Sequence, residues 1–172
     1  IYKENIPAEK QLCTPDWIVR YMVENSLEKI WDEGYPDTSI KNNWNYFIDE
    51  AKQDSHTEEE IDSIRLDYAK IKPEELRCID PCSGSGHILA YMFDVLIEIY
   101  EDYGIPTREA VKSIIDNNIW GLDIDNRASQ LAYFSVMMKA RQYDRRFFST
   151  RDEEGHLSVP QPHIMSIYES NE

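Results

Sequence analysis

Two short segments carry residues whose types and spacing could do chemistry. The first, Ile79-Asp80-Pro81-Cys82-Ser83-Gly84-Ser85-Gly86-His87, ends an apolar run with a carboxylate and continues into a loop of small residues. A strand that ends in such a loop and opens a helix can cradle a ligand. Glycine lets backbone approach closely, and the helix N-terminus presents unpaired N–H groups. The second, Trp120-Gly121-Leu122-Asp123-Ile124-Asp125, again places a carboxylate at the end of an apolar run. From that edge it can accept two charge-assisted hydrogen bonds from ribose hydroxyls. Earlier in the chain Thr14-Pro15 reads as a helix start, with Thr14 as N-cap and Pro15 as first helical residue.

Three ligand classes compete for the glycine loop. A nucleoside triphosphate needs Lys then Ser or Thr after the second glycine, where this chain has His87 and Ile88. A dinucleotide needs a third glycine where Leu89 stands, and an acidic residue about 20 positions on, much nearer than Asp123. S-adenosylmethionine has an ammonium, a carboxylate and a sulfonium. Asp80 suits its cationic portion, Asp123 its ribose, and the helix start at Thr14 its carboxylate. Each element alone is also what a cap or a turn needs; the ordered set favours the cofactor.

The elements that must position these residues follow from periodicity. Val19, Met22, Val23, Leu27, Ile30 and Trp31 predict one helix ending before Gly34. Residues 37–73 are polar and acidic, an inserted solvated segment with a helix from about Thr57 to Ile71 carried by Ile61, Ile64, Leu66 and Tyr68. Leu76 to Ile79 predicts a strand. Ile88, Met92, Val95, Leu96 and Ile99 predict the inward face of a long helix, and Thr107 the cap of another. Ile119 to Ile124 predicts a strand, and Asn126 to about Arg141 a helix with Leu131, Phe134 and Met138. His163 to Tyr168 predicts the last strand. Strands alternating with helices require crossovers and a parallel α/β sheet. The expected division is a helical segment over 1–73 and the cofactor-binding domain over 74–172.

Composition narrows the partners. The chain has 172 residues, 41% of them hydrophobic, and a net charge of −15, so it can fold around a core but is a poor stand-alone binder of nucleic acid. Nothing approaches the roughly 18 apolar residues of a membrane span. Cys13, Cys78 and Cys82 form no disulfide framework, and the four scattered histidines give no metal-ligand spacing. Reduced thiols and a cytoplasmic protein are expected, with no bound metal. Lys139, Arg141, Arg145, Arg146 and Arg151 interleave with Tyr143, Phe147 and Phe148. That cluster reads as a helix C-terminus over core aromatics more readily than as a DNA contact. The chain begins at Ile1 without Met, and it is expected to be a piece of a longer protein.

Gln11 to Asn25, Ile79 to Ala90 and Ile119 to about Arg146 together resemble the adenine-specific (N6) DNA methyltransferases of restriction-modification and phage-exclusion systems. The resemblance implies a Rossmann-like methyltransferase fold, here its first part. It implies a cofactor pocket lined by Thr14, Asp80, Cys82, Gly84, Gly86 and Asp123, with neighbouring Pro81, Ser83 and Ile124, and Asp123 on the ribose. Asp125 is expected to cap a helix, and Glu169, Ser170 or Asn171 to follow as a further cofactor contact. One family feature is missing. The catalytic tetrapeptide, Asn or Asp followed by Pro-Pro and an aromatic residue, needs adjacent prolines, and none of the eight prolines adjoins another. The resemblance places that tetrapeptide after a strand like His163 to Tyr168, and so beyond this sequence. No catalytic residue is therefore assigned, and DNA is expected as partner of the full-length protein rather than of this chain alone. A methyltransferase-like scaffold without catalysis is the alternative.

Overall fold

The computed structural model describes residues 14–168, so Cys13 and the expected contacts at Glu169, Ser170 and Asn171 lie outside the described residues. Three strands, β1 (Cys78–Asp80), β2 (Ile119–Asp123) and β3 (His163–Ser166), form one parallel sheet in the order β1-β2-β3. Asp80 pairs in register with Gly121, and Asp123 with Ser166. Parallel neighbours need crossovers. These are supplied by α4 (His87–Asp102) with α5 (Thr107–Ser113), and by α6 (Asn126–Tyr143). The architecture is the α/β, Rossmann-like one that the alternation of elements requires.

The predicted first helix is two helices, α1 (Asp16–Glu24) and α2 (Leu27–Gly34). The break lies at Asn25-Ser26, whose side chains bond backbone carbonyls instead of continuing the turn. Asn25 donates to the Tyr21 carbonyl at 2.8 Å, and Ser26 to that of Met22 at 2.7 Å. Val23, Leu27 and Trp31 join one core with Leu89, Phe93, Leu96 and Tyr100 of α4, while Met22 is exposed. Arg20 lies over the Tyr91 ring at 5.0 Å, and Trp31 Nε1 donates to Asp102 at 3.3 Å. The α1–α2 arm therefore runs in the same direction as α4 and begins at the end where α4 leaves the glycine loop.

In the acidic insert, α3 (Ser55–Tyr68) is capped by Asp54, which accepts the amides of His56 and Thr57 at 3.1 Å each. None of its residues is buried; Ile64 and Leu66 are exposed. On α6 the large apolar residues that mark the helix in the sequence, Leu131, Phe134 and Met138, are all exposed. The buried face is Ala128, Ala132, Val136, Met137 and Ala140. Small residues let α6 lie close against α4 and the loop, and that close approach decides which of its two apolar faces turns inward. At the helix end Phe147 is buried, while Lys139 pairs with Asp94 at 2.5 Å and Tyr143 bonds the same carboxylate at 2.8 Å.

Candidate cofactor-binding site

The site is built where β1 and β2 end side by side. Asp80 closes β1 and is buried; its Oδ1 accepts the Cys82 amide at 3.0 Å, which starts the turn into the loop. The Ser83 amide donates to the Leu122 carbonyl of β2 at 2.9 Å, and the Gly84 amide to Asp123 Oδ2 at 2.8 Å. The other oxygen of Asp123 accepts the Asp125 amide, also at 2.8 Å. Loop and second strand end are thus tied through one carboxylate.

The two glycines differ in what they permit. Both have left-handed backbone, φ +52° at Gly84 and +83° at Gly86. A Cβ on Gly84 would meet nothing nearer than 3.9 Å, whereas one on Gly86 would stand 2.8 Å from Ala132 Cα of α6. Gly86 therefore serves conformation and close packing together. Ser135, one turn beyond Ala132, donates to the Ser85 carbonyl at 2.9 Å and fixes the loop from above. Neither Ala132 nor Ser135 was singled out from sequence; the small-residue spacing Ala128, Ala132, Ser135 was the available signal.

Two polar atoms here lack a partner. Asp80 Oδ2 and Ser83 Oγ are buried without a hydrogen bond among the described residues. Burial pushes the Asp80 carboxyl above its ordinary value; Asp123 across the loop adds to this, and the Cys82 amide opposes it. Buried polar atoms without partners cost free energy, and a ligand that pairs with them recovers it. A cation or a hydrogen-bond donor could pair with Asp80 Oδ2, and the Ser83 hydroxyl could donate or accept.

The remaining predicted residues surround this centre. Pro81 and Cys82 are exposed on the loop, Gly84 is half-buried, and Ile124 is 79% exposed beside Asp123. Asp125 is the N-cap of α6 and accepts the Arg127 amide at 2.8 Å. Thr14 is displaced from its expected role: the N-cap of α1 is Pro15, and Thr14 is the half-buried residue before it. Proline supplies extended backbone (φ −56°, ψ 142°) as a cap, so the helix starts one residue later than the Thr-Pro pattern predicts. The same shift occurs at α5, where Pro106 is the cap and Thr107 the first helical residue.

No family model matches the chain. An adenine-specific methyltransferase of Lacticaseibacillus casei, PglX, is 48% identical over 165 residues, which is 91% of this chain and 13% of that protein. Another from Escherichia coli, BrxX, is 45% identical over 146 residues, 85% of this chain and 12% of the relative. The chain belongs to the adenine-specific methyltransferase family. A putative type II restriction enzyme and methyltransferase of Methanocaldococcus jannaschii is 30% identical over 146 residues, 74% of this chain and 12% of that protein. This methyltransferase-family chain thus spans 12–13% of the length of the curated relatives it matches. Among the described residues no helix is long and apolar enough to cross a membrane.

Proposed function

We propose that this chain is the S-adenosylmethionine-binding portion of an adenine-N6 DNA methyltransferase. The observation that carries the reading is the pair of orphaned buried atoms, Asp80 Oδ2 and Ser83 Oγ, beneath a loop whose far side is tied to Asp123. The residues present fit that cofactor. Asp80 would face its positive amino-acid end, the Gly84 backbone would lie against it without a side chain while Gly86 holds the loop close to α6, and Asp123 would hold the ribose. Ile124 offers exposed apolar surface beside the ribose position. Thr14 lies at the end of the α1–α2 arm from which α4 leaves the loop.

When bound, S-adenosylmethionine supplies a methyl group activated by a sulfonium. The chain's own contribution is positioning. The Gly84 and Asp125 amides orient the Asp123 carboxylate, Asp80 balances positive charge, and Ser83 and Ser135 hold the loop against β2 and α6. With no adjacent prolines to receive a flipped adenine and a net charge of −15, this chain alone is not expected to methylate DNA.

Two measurements on the 172-residue chain test the reading. Calorimetric titration with S-adenosylmethionine should give weak, saturable binding. No heat and no thermal shift at millimolar cofactor, on protein shown to be folded, would favour the scaffold alternative. Incubation with labelled cofactor and mixed-sequence duplex should leave the DNA unlabelled, and labelled adenine would refute the assignment of this chain as a binding portion only.

A further inference from the structure

The α1–α2 arm buries two carboxyl groups against α4. Glu24, the last residue of α1, is 0% exposed, and Glu28, in the first turn of α2, is 1% exposed. Glu24 has partners for both oxygens: the Tyr91 hydroxyl donates to Oε1 at 3.4 Å, and the Tyr46 amide donates to Oε2. Glu28 Oε2 is buried with no partner among the described residues. The charged and titratable groups that face Glu28 are Arg20 and Glu24 from α1 and Tyr91 and Glu98 from α4. Glu98 is in turn bonded by the Asn43 side chain. The one cation in this group, Arg20, already pairs with Asp16 at 2.8 Å. Three carboxyls thus act on one another with a single guanidinium near them that is already engaged and partly exposed; Glu24 and Glu28 are closed to water, and Glu98 is half-buried. An unpaired buried carboxylate is far costlier than a neutral carboxyl.

We propose that the arm docks on α4 through an uncharged Glu28, so that alkalinisation loosens α1 and α2 from the rest of the fold. Burial first, then Glu24 and Glu98, raise the Glu28 carboxyl to about 9, with Arg20 opposing. Burial raises Glu98 and Tyr91 as well. The folded value lies above the unfolded one. The stabilisation is therefore complete below the ordinary carboxyl range and is lost progressively as pH rises to about 9. The arm carries Thr14 toward the loop, so the device would couple proton activity to one edge of the site. The docking itself does not depend on what that site binds.

Hydrogen exchange on the 172-residue chain tests this, with β2 amides as reference in the same sample. After correction for intrinsic rates, protection of residues 16–34 relative to 119–123 should fall by up to tenfold per pH unit between pH 6.5 and 8.5. Glu28→Gln should remove most of that slope, and Glu28→Met serves if the glutamine variant does not fold. Relative protection that stays flat in the unsubstituted chain overturns the proposal. So does an equal slope in the variant.

Discussion

The amide of Gly84 donates to the carboxylate of Asp123 at 2.8 Å across 39 residues of sequence. Because Asp123 Oδ1 also takes the Asp125 amide, this side chain organises the loop as well as offering acceptors to a ligand. Asp123→Ala should weaken S-adenosylmethionine binding on the order of 10- to 100-fold, since hydrogen bonds to a charged group contribute about 1.5–3 kcal/mol. It should also lower exchange protection at Gly84. Asp125→Ala loses only the α6 cap, about 0.5–2 kcal/mol of stability, with affinity unchanged. Calorimetry and thermal unfolding of both variants separate the two roles. Binding lost in the Asp125 variant and kept in the Asp123 variant would reverse the assignment.

Affinity should depend on pH through Asp80. Its carboxyl is raised in the free chain by burial and by Asp123, and a cationic ligand favours the ionised form. Binding therefore releases a proton whenever Asp80 is protonated beforehand. Affinity should fall with falling pH, by up to tenfold per unit, beginning at a higher pH than an ordinary aspartate would give. Asp80→Asn should bind more weakly and without that dependence. Calorimetry in buffers of different ionisation enthalpy checks the proton release; its absence would remove Asp80 from the cationic contact.

What the sequence disclosed and what it hid have separate physical reasons. The strand ends, the loop and Asp123 were legible because apolar runs stopped by a carboxylate, and glycines at fixed offsets, are local signals. The buried face of α6 was not, because that helix is apolar on two sides. Periodicity finds a stripe but cannot say that Gly86 needs alanine rather than Phe134 opposite it. The break between α1 and α2 was hidden because Asn25 and Ser26 interrupt no apolar spacing. The burial of Glu24 and Glu28 was equally invisible, since glutamate in a helix reads as solvated.

Glycine substitutions in the loop should rank by space, not by φ alone. Gly84→Ala meets only left-handed strain, roughly 1–2 kcal/mol. Gly86→Ala adds a collision with the α6 backbone at Ala132, which cannot move without disturbing the helix core. It should destabilise the chain clearly more than Gly84→Ala and abolish cofactor binding. Urea unfolding of the two variants decides this; equal losses would mean that α6 can shift away from the loop.

Asn118 carries the last prediction. It ends a π-helical turn, Ile114–Asn118, just before β2, and is fully buried. Its amide donates to the carbonyls of Pro73 at 2.7 Å and Leu76 at 2.6 Å, and its Oδ1 accepts the Tyr100 hydroxyl at 2.8 Å. One side chain thus fixes the segment that enters β1, and through it the position of Asp80. Asn118→Ala leaves the buried Leu76 carbonyl without its side-chain donor, at about 1–3 kcal/mol for an unsatisfied group, whereas the Pro73 carbonyl keeps the Leu76 amide at 3.3 Å. Asn118→Asp keeps the acceptor for Tyr100 but turns an anion toward those carbonyls. Its carboxyl must then titrate above the ordinary range, so stability should decline as pH rises. The aspartate variant should lie near the alanine variant at pH 5 and well below it at pH 8. Thermal unfolding at both values is the check. A variant order that does not change with pH, or a loss under about 0.5 kcal/mol in alanine, would show that β1 is held by something other than Asn118.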